Sequence, residues 1–305
     1  MKNLPEVPAV VCYGEVLWDV APTKATPGGA PMNVAYHLQQ FGSSTTLISR
    51  IGADEQGEQL LEHLQRSGLS TSFCQTDSTH ATSEVHVRIA ENNEVSYDIL
   101  YPVAWDFIQY QEAQEPLVRQ ADAFVFGSLV SRNEASYSTL LQLLQLSGYN
   151  VFDVNLREPH YTPDKLKQLL TYADLVKLNE AELELITDWF KPGLTTETDR
   201  IKLLQEKFAL EEVLVTKGSK GASFYFQDEH YFQKAFPIQV ADTIGSGDSF
   251  LAAFLAHKLR HAPPATCLAY AAALAAFVTM HHGACPPYTL QTLENFKQEK
   301  EKQQP

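Results

Sequence analysis

"ADTIGSGDSFLAAFLAHKL", residues 241–259, places two glycines and an aspartate directly ahead of an alanine-rich apolar run. Glycines at 245 and 247 let backbone N–H groups turn inward with no side chain in the way. A helix opening there adds unpaired donors and a partial positive charge. Such a start can stabilise negative charge on a transferring phosphoryl group, and Asp248 beside it can accept a proton from an attacking hydroxyl. The same residues also suit an ordinary helix start, with Asp248 matching the dipole and the glycines making a turn. The surrounding chain has to decide between them.

Outward from this stretch, short β-branched or aromatic runs alternate with amphipathic ones. Residues 9–14, 45–52, 121–127, 149–155, 173–179 and 211–218 read as strands; 55–67, 135–147, 163–172, 179–188 and 198–208 read as helices. Strands apolar on both faces, alternating with helices, imply an α/β fold with a doubly wound, mostly parallel sheet flanked by helices. Such sheets bind ligands at the carboxyl ends of their strands. "SEVHVRIAENNEVSYDILYP" (83–102) breaks the alternation, with period-two strands around "ENN" that signal a hairpin. With strand material near 15–25 it predicts a small β-sheet lid on a single domain spanning 1–305. The charged tail "FKQEKEKQQP" is expected to fray.

Composition narrows the function. The 305 residues carry a formal net charge of −14, which argues against nucleic acid or an anionic membrane surface as partner. The four cysteines form no CxxC pair, which fits reduced thiols in a cytoplasmic protein. "CLAYAAALAAFVTM" (267–280) falls short of the ~20 residues that span a bilayer, so it reads as a buried helix. His257 and His261 lie four apart without a third ligand and read as solvated histidines of a helix face.

Other polar groups cluster at strand ends. "GEVLWDV" (14–20) leaves Asp19 where the ligand crevice should be, or in a turn. "GGAPMNVAYHLQQFG" (28–42) joins a Gly-Gly turn to a helix with proline near its start, placing Gly29 for close approach and Asn33 on the first turn. "DVNLR" (153–157) offers Arg157 to an anionic group or to a surface acid. "NEAE" (179–182) makes Asn179 an N-cap and Glu182 its capping-box partner, residues that could also reach a magnesium shell through water. "VTKGSKGASFYF" (215–226) reads as a hairpin or as backbone cradling a nucleotide.

Taken together, these motifs resemble the ribokinase-like (PfkB-type) carbohydrate kinases over nearly the whole chain, from "GEVLWDV" to "GACPP". Both family signatures are present, "GGAPMNVAYHLQQFGSSTTLISRIGADEQG" and "DTIGSGDSFLAAF". The resemblance implies a doubly wound α/β domain with a β lid, and transfer of the γ-phosphoryl of ATP to a sugar hydroxyl with Mg2+. It implies Asp248 as catalytic base and Gly245, Ser246 and Gly247 as the anion hole, with serine where alanine is more usual. Asp19, Gly29 and Asn33 match sugar-binding positions, and Arg157 would sit near sugar or phosphate. Asn179 and Glu182 match the motif near the phosphates and magnesium; Thr216, Lys217, Gly218 and Gly221 match the nucleotide loop. Asp242 and Ile244 match a site for a monovalent cation, K+. "GGAP", "DVNLR" and "PVAWD" (102–106) look most like bacterial fructokinases, with 2-keto-3-deoxygluconate kinase as the alternative and a non-catalytic sugar sensor as a reading from another class. Tyr97 or Tyr101 would cover the sugar, and a homodimer joined through the lids is expected.

Overall fold

The computed structural model describes residues 7–21, 24–89 and 95–303, with the side chains at 21, 24, 87–89 and 95–97 outside that description. The chain opens with β1 (Ala9–Tyr13), β2 (Leu17–Ala21), β3 (Lys24–Gly28), α1 (Ala30–Gln40), β4 (Ser44–Gly52) and α2 (Glu55–Arg66). Then come β5 (Cys74–Asp77), β6 (Ser83–Ile89), β7 (Val95–Ile99), α3 (Gln114–Gln120), β8 (Ala123–Gly127), α4 (Glu134–Leu144), β9 (Asn150–Asp153) and α5 (Pro163–Leu170). The remainder is β10 (Leu175–Asn179), α6 (Glu180–Asp188), α7 (Glu197–Phe208), β11 (Glu212–Thr216), β12 (Ala222–Phe226), β13 (Glu229–Gln233), α8 (Ser246–Lys258), α9 (Pro264–Thr279) and α10 (Leu290–Gln303).

Among the described residues, nine strands form the main sheet in the order β13-β12-β11-β10-β9-β8-β1-β4-β5. From β5 to β11 every pairing is parallel, and β12 and β13 close one edge as an antiparallel hairpin. The order reverses at β1, which pairs β4 on one side and β8 on the other. The crevice at that reversal is where such sheets take ligands. Alternation along β1 splits the core. Val10 and Cys12 pack with α1, α8 and α9 on one face, and Val11 and Tyr13 with the helices of the other.

Helix boundaries follow from side-chain caps. Asp54 accepts from the Gly57 N–H at 2.8 Å to open α2, and Asn179 and Glu182 close a reciprocal capping box at α6. Helices α8 and α9 meet through small residues, Ala252, Ala253 and Ala256 against the buried alanines 271–273 and 276. This explains why residues 267–280 are so apolar: α9 is enclosed by protein. No helix among the described residues is long and apolar enough to cross a membrane.

A second sheet of four strands, β3-β2-β6-β7, forms the lid over the crevice. Its register sets Asp19 opposite Val85 and Val85 opposite Ile99, three residues on one face. The turn "ENN" lies outside the described residues. The tail departs from expectation. Residues 296–303 belong to α10, held by buried Leu293, by Phe296 against Phe277 (ring centroids 5.7 Å), and by Tyr270 donating to Glu294. His257 also differs, since its ring stacks on Tyr270 at 4.0 Å and is half-buried.

Candidate active site

The α8 start is built by a turn that only glycine accepts easily. Gly245, the N-cap, has φ 73, and a Cβ there would lie 2.4 Å from the Ala284 Cβ and 2.6 Å from its Cα. Asp242 ties the same turn together, taking the Ile244 N–H on one carboxylate oxygen and the Gly283 N–H on the other, both at 3.0 Å. The Ser246 N–H donates back to the Thr243 carbonyl at 3.3 Å, so the N–H groups that follow it in the first turn of α8 are the ones left for a ligand.

Two cavities meet at this turn. One, of about 410 Å³, is polar and lies under the lid, where Glu15, Asp19, Gly29, Asn33, Arg157, Lys177 and Asp248 line it with Val85 and Ile99. The other, of about 540 Å³, has an apolar wall of Phe236, Ile238, Val240, Ala272 and Ala276, and a loop side of Thr216, Gly218 and Gly221. Thr243 and Gly247 belong to both. A flat heteroaromatic base suits the apolar wall, and its phosphates would then point at the helix start.

Asp248 is buried, and its Oδ2 accepts from Asn33 Nδ2 at 2.8 Å. Asn33 in turn accepts from the Cys285 Sγ at 3.5 Å, so its amide is held from both ends. Burial raises the Asp248 pKa, and Asp153 pushes it further; Lys177, Asn33 and Arg157 oppose the rise. Glu15 is likewise pushed up to about 7, by burial first and then by Asp248. Asp19 rises to about 6 from the same two causes. Three carboxyls thus share one cavity, and burial raises the pKa of each.

Most expected residues converge here. Asp19, Gly29, Asn33, Arg157, Ile244, Gly245, Gly247 and Asp248 surround the polar cavity; Thr216, Gly218, Gly221 and Ser246 line the apolar one. Others do not. Lys217 turns away, its ammonium bound to Glu197 (2.7 Å) and Ser223 (2.6 Å). Asn179 and Glu182 line neither cavity. Both Glu182 oxygens accept backbone N–H groups, from Asn179 and Leu156 at 2.8 Å each, which fixes the loop that carries Arg157. Tyr101 lies beyond the lid beside Arg132, in a separate cavity of about 270 Å³. The Tyr97 side chain lies outside the described residues.

Glu15 and Lys177 went unread in the sequence. A charge directly after a first strand and a lone lysine inside "LVKLN" were the available signals, since neither position is cheap for a charge. The four cysteines are free in the structure, with Cys12 and Cys267 buried.

No three His, Cys, Asp or Glu side chains converge among the described residues to cage a metal ion. The nearby carboxylates Asp153 and Glu182 already have both oxygens engaged. That donor set fits magnesium carried on nucleotide phosphates with most of its water retained. Asp242 keeps spare lone pairs beside the 242–245 turn, which suits a weakly held monovalent cation.

An apolar-walled cavity and a polar one, joined at a helix start with a buried carboxylate, suit a kinase that acts on a sugar. The chain belongs to the pfkB family of carbohydrate kinases, whose model matches residues 6–291. It is 29% identical to the probable fructokinase-2 of Arabidopsis thaliana over 269 residues, covering 81% of this chain and 80% of that one. The fold matches a fructokinase with bound ATP from Xylella fastidiosa, with TM-score 0.85 and 22% identity over 96% of this chain and 99% of the other. It also matches a fructokinase double mutant from Vibrio cholerae O395 in a fructose-, ADP- and potassium-bound form, with TM-score 0.83 and 22% identity over 96% and 99%.

Proposed function

We propose that this chain is an ATP-dependent fructokinase of the cytoplasm. The observation that carries the reading is the meeting of the two cavities at Gly247, with Asp248 on the polar side. Fructose lies under the lid against Asp19, Gly29 and Asn33, and the ATP base lies against the apolar wall. Asp248 takes the proton as the sugar oxygen bonds to the γ-phosphorus. The bond to the β-phosphate oxygen breaks, and ADP leaves with the electron pair. Backbone N–H groups of the first turn of α8 hold the charge that spreads over the transferring oxygens. Magnesium carried on the nucleotide would neutralise phosphate charge, while Asn179 and Glu182 support the site from behind by fixing the loop that carries Arg157.

Three carboxyls around the acceptor favour a neutral polyol. Arg157, exposed at the cavity rim, suits a sugar acid, so 2-keto-3-deoxygluconate is the alternative acceptor. The lid leaves β3 and β7 as sheet edges; pairing lids in a homodimer would cover such edges. The test is a phosphorylation screen of fructose, 2-keto-3-deoxygluconate, ribose and nucleosides with ATP and magnesium. The highest kcat/KM for fructose supports the reading. A win for another sugar overturns the acceptor and leaves the kinase standing, and turnover of none overturns both.

A further inference from the structure

Lys177 sits in the middle of a buried strand. Alternation along β10 turns it with Leu175 toward the face covered by α8, and its side chain is 8% exposed. Two of its three N–H donors go to Asp153, at 2.8 Å to Oδ1 and 2.9 Å to Oδ2. The third has no protein partner among the described residues, and the side chain lines the polar cavity. A Cβ added at Gly247 would stand 3.0 Å from the Lys177 Nζ. The ammonium therefore lies directly beneath the peptide that both cavities share.

A lysine is rarely left in such a place unless its charge is used or matched. Burial works against that charge, yet Asp153 and Asp248 outweigh it and hold the Lys177 pKa above its ordinary value. The match with Asp153 is not needed to satisfy the sheet, since two apolar residues could replace the pair. What the pair supplies is a cation of fixed position, with one donor left over, under a helix start that already attracts anions.

We propose that Lys177, oriented by Asp153, is the positive floor of the transfer site, donating its free N–H to the terminal phosphoryl group of the nucleotide. The inference rests on the kinase reading but not on fructose. Asp153 orients Lys177 as a positioning residue. Other charged or titratable groups facing Asp248 are Arg157 from the 154–160 loop, Glu15 after β1, Asp19 on the lid, and Cys285 from the loop after α9. None of these lies under Gly247 as Lys177 does.

The test compares wild type with Lys177→Arg and with the double variant Lys177→Met, Asp153→Asn, which removes the ion pair without stranding a buried carboxylate. Binding of β,γ-methylene-ATP and of ADP is measured by calorimetry on each. A charge-assisted bond to the terminal group predicts that the double variant loses ~10- to 100-fold in affinity for the analogue and little for ADP. Lys177→Arg should recover part of that loss. In turnover, kcat should fall more than KM rises. An unchanged analogue-to-ADP ratio in the folded double variant overturns the proposal, as does equal weakening of both ligands. If wild type phosphorylates no sugar, the functional reading fails while the nucleotide ratio still decides the role of Lys177.

Discussion

Glu15 follows β1 after Gly14, and its side chain forms part of the cavity wall. One oxygen accepts from the Ala30 N–H at 3.2 Å and the other has no protein partner. Burial, with Asp248 adding repulsion, moves its pKa from 4.5 to about 7. A carboxyl raised in this way binds its proton more tightly when folded than when unfolded. Its stabilising contribution is full below pH 4.5 and is lost as pH rises through about 7. The interval corresponds to about 3 kcal/mol, of which about 2 kcal/mol falls between roughly pH 5 and pH 8.

Glu15→Gln removes the titration and keeps a side-chain oxygen for Ala30. In a chain of this length, 1 kcal/mol shifts the melting temperature by about 2 °C. Between pH 5 and pH 8, wild type should therefore lose about 4 °C more than the variant. Differential scanning calorimetry of both proteins without ligand, at matched ionic strength, measures this. Melting curves that run parallel across that range would refute the reasoning, because the carboxyl would then have the same proton affinity folded and unfolded.

Asp248→Asn should lower kcat by ~10²- to 10⁴-fold with ATP affinity retained, and a variant keeping more than half of wild-type kcat would reject the base. Gly245→Ala forces a side chain onto the Ala284 backbone at positive φ, so a loss of ~1–3 kcal/mol is expected in denaturant titration; unchanged stability would mean the turn is not held as described. Light scattering should give twice the chain mass at micromolar concentration, and a strictly monomeric protein would leave the lid to close over sugar alone.

The fold could be read where burial leaves a periodic trace. β1, β8, β9, β10 and β11 are apolar on both faces because helices cover both, and that pattern survives without coordinates. β5, with the sequence CQTD, and the polar α3 carry no such trace and were missed. The tail misled for a related reason. Leu293 and Phe296 are too few to show a period, and only their contact with α9 reveals a docked helix. In the site, Gly245 to Asp248 could be read because a glycine-flanked acid at a helix start is locally unusual. Lys177 could not, since its meaning depends on Asp153 and Gly247, brought to it across the sheet. Lys217 shows the reverse error: proximity in sequence to the nucleotide loop said nothing about which way its side chain turns.

Among the described residues, the two cavities share Thr243 and Gly247 and otherwise have separate linings. The sugar and the nucleotide of the proposed reaction can therefore be held at once on either side of Gly247, with Asp248 beside it as the proposed base. Initial-rate plots should therefore intersect, as for a ternary complex, and not run parallel as in a ping-pong cycle. A γ-phosphoryl group made chiral with oxygen isotopes should arrive on the sugar with inverted configuration, the stereochemical mark of one direct displacement.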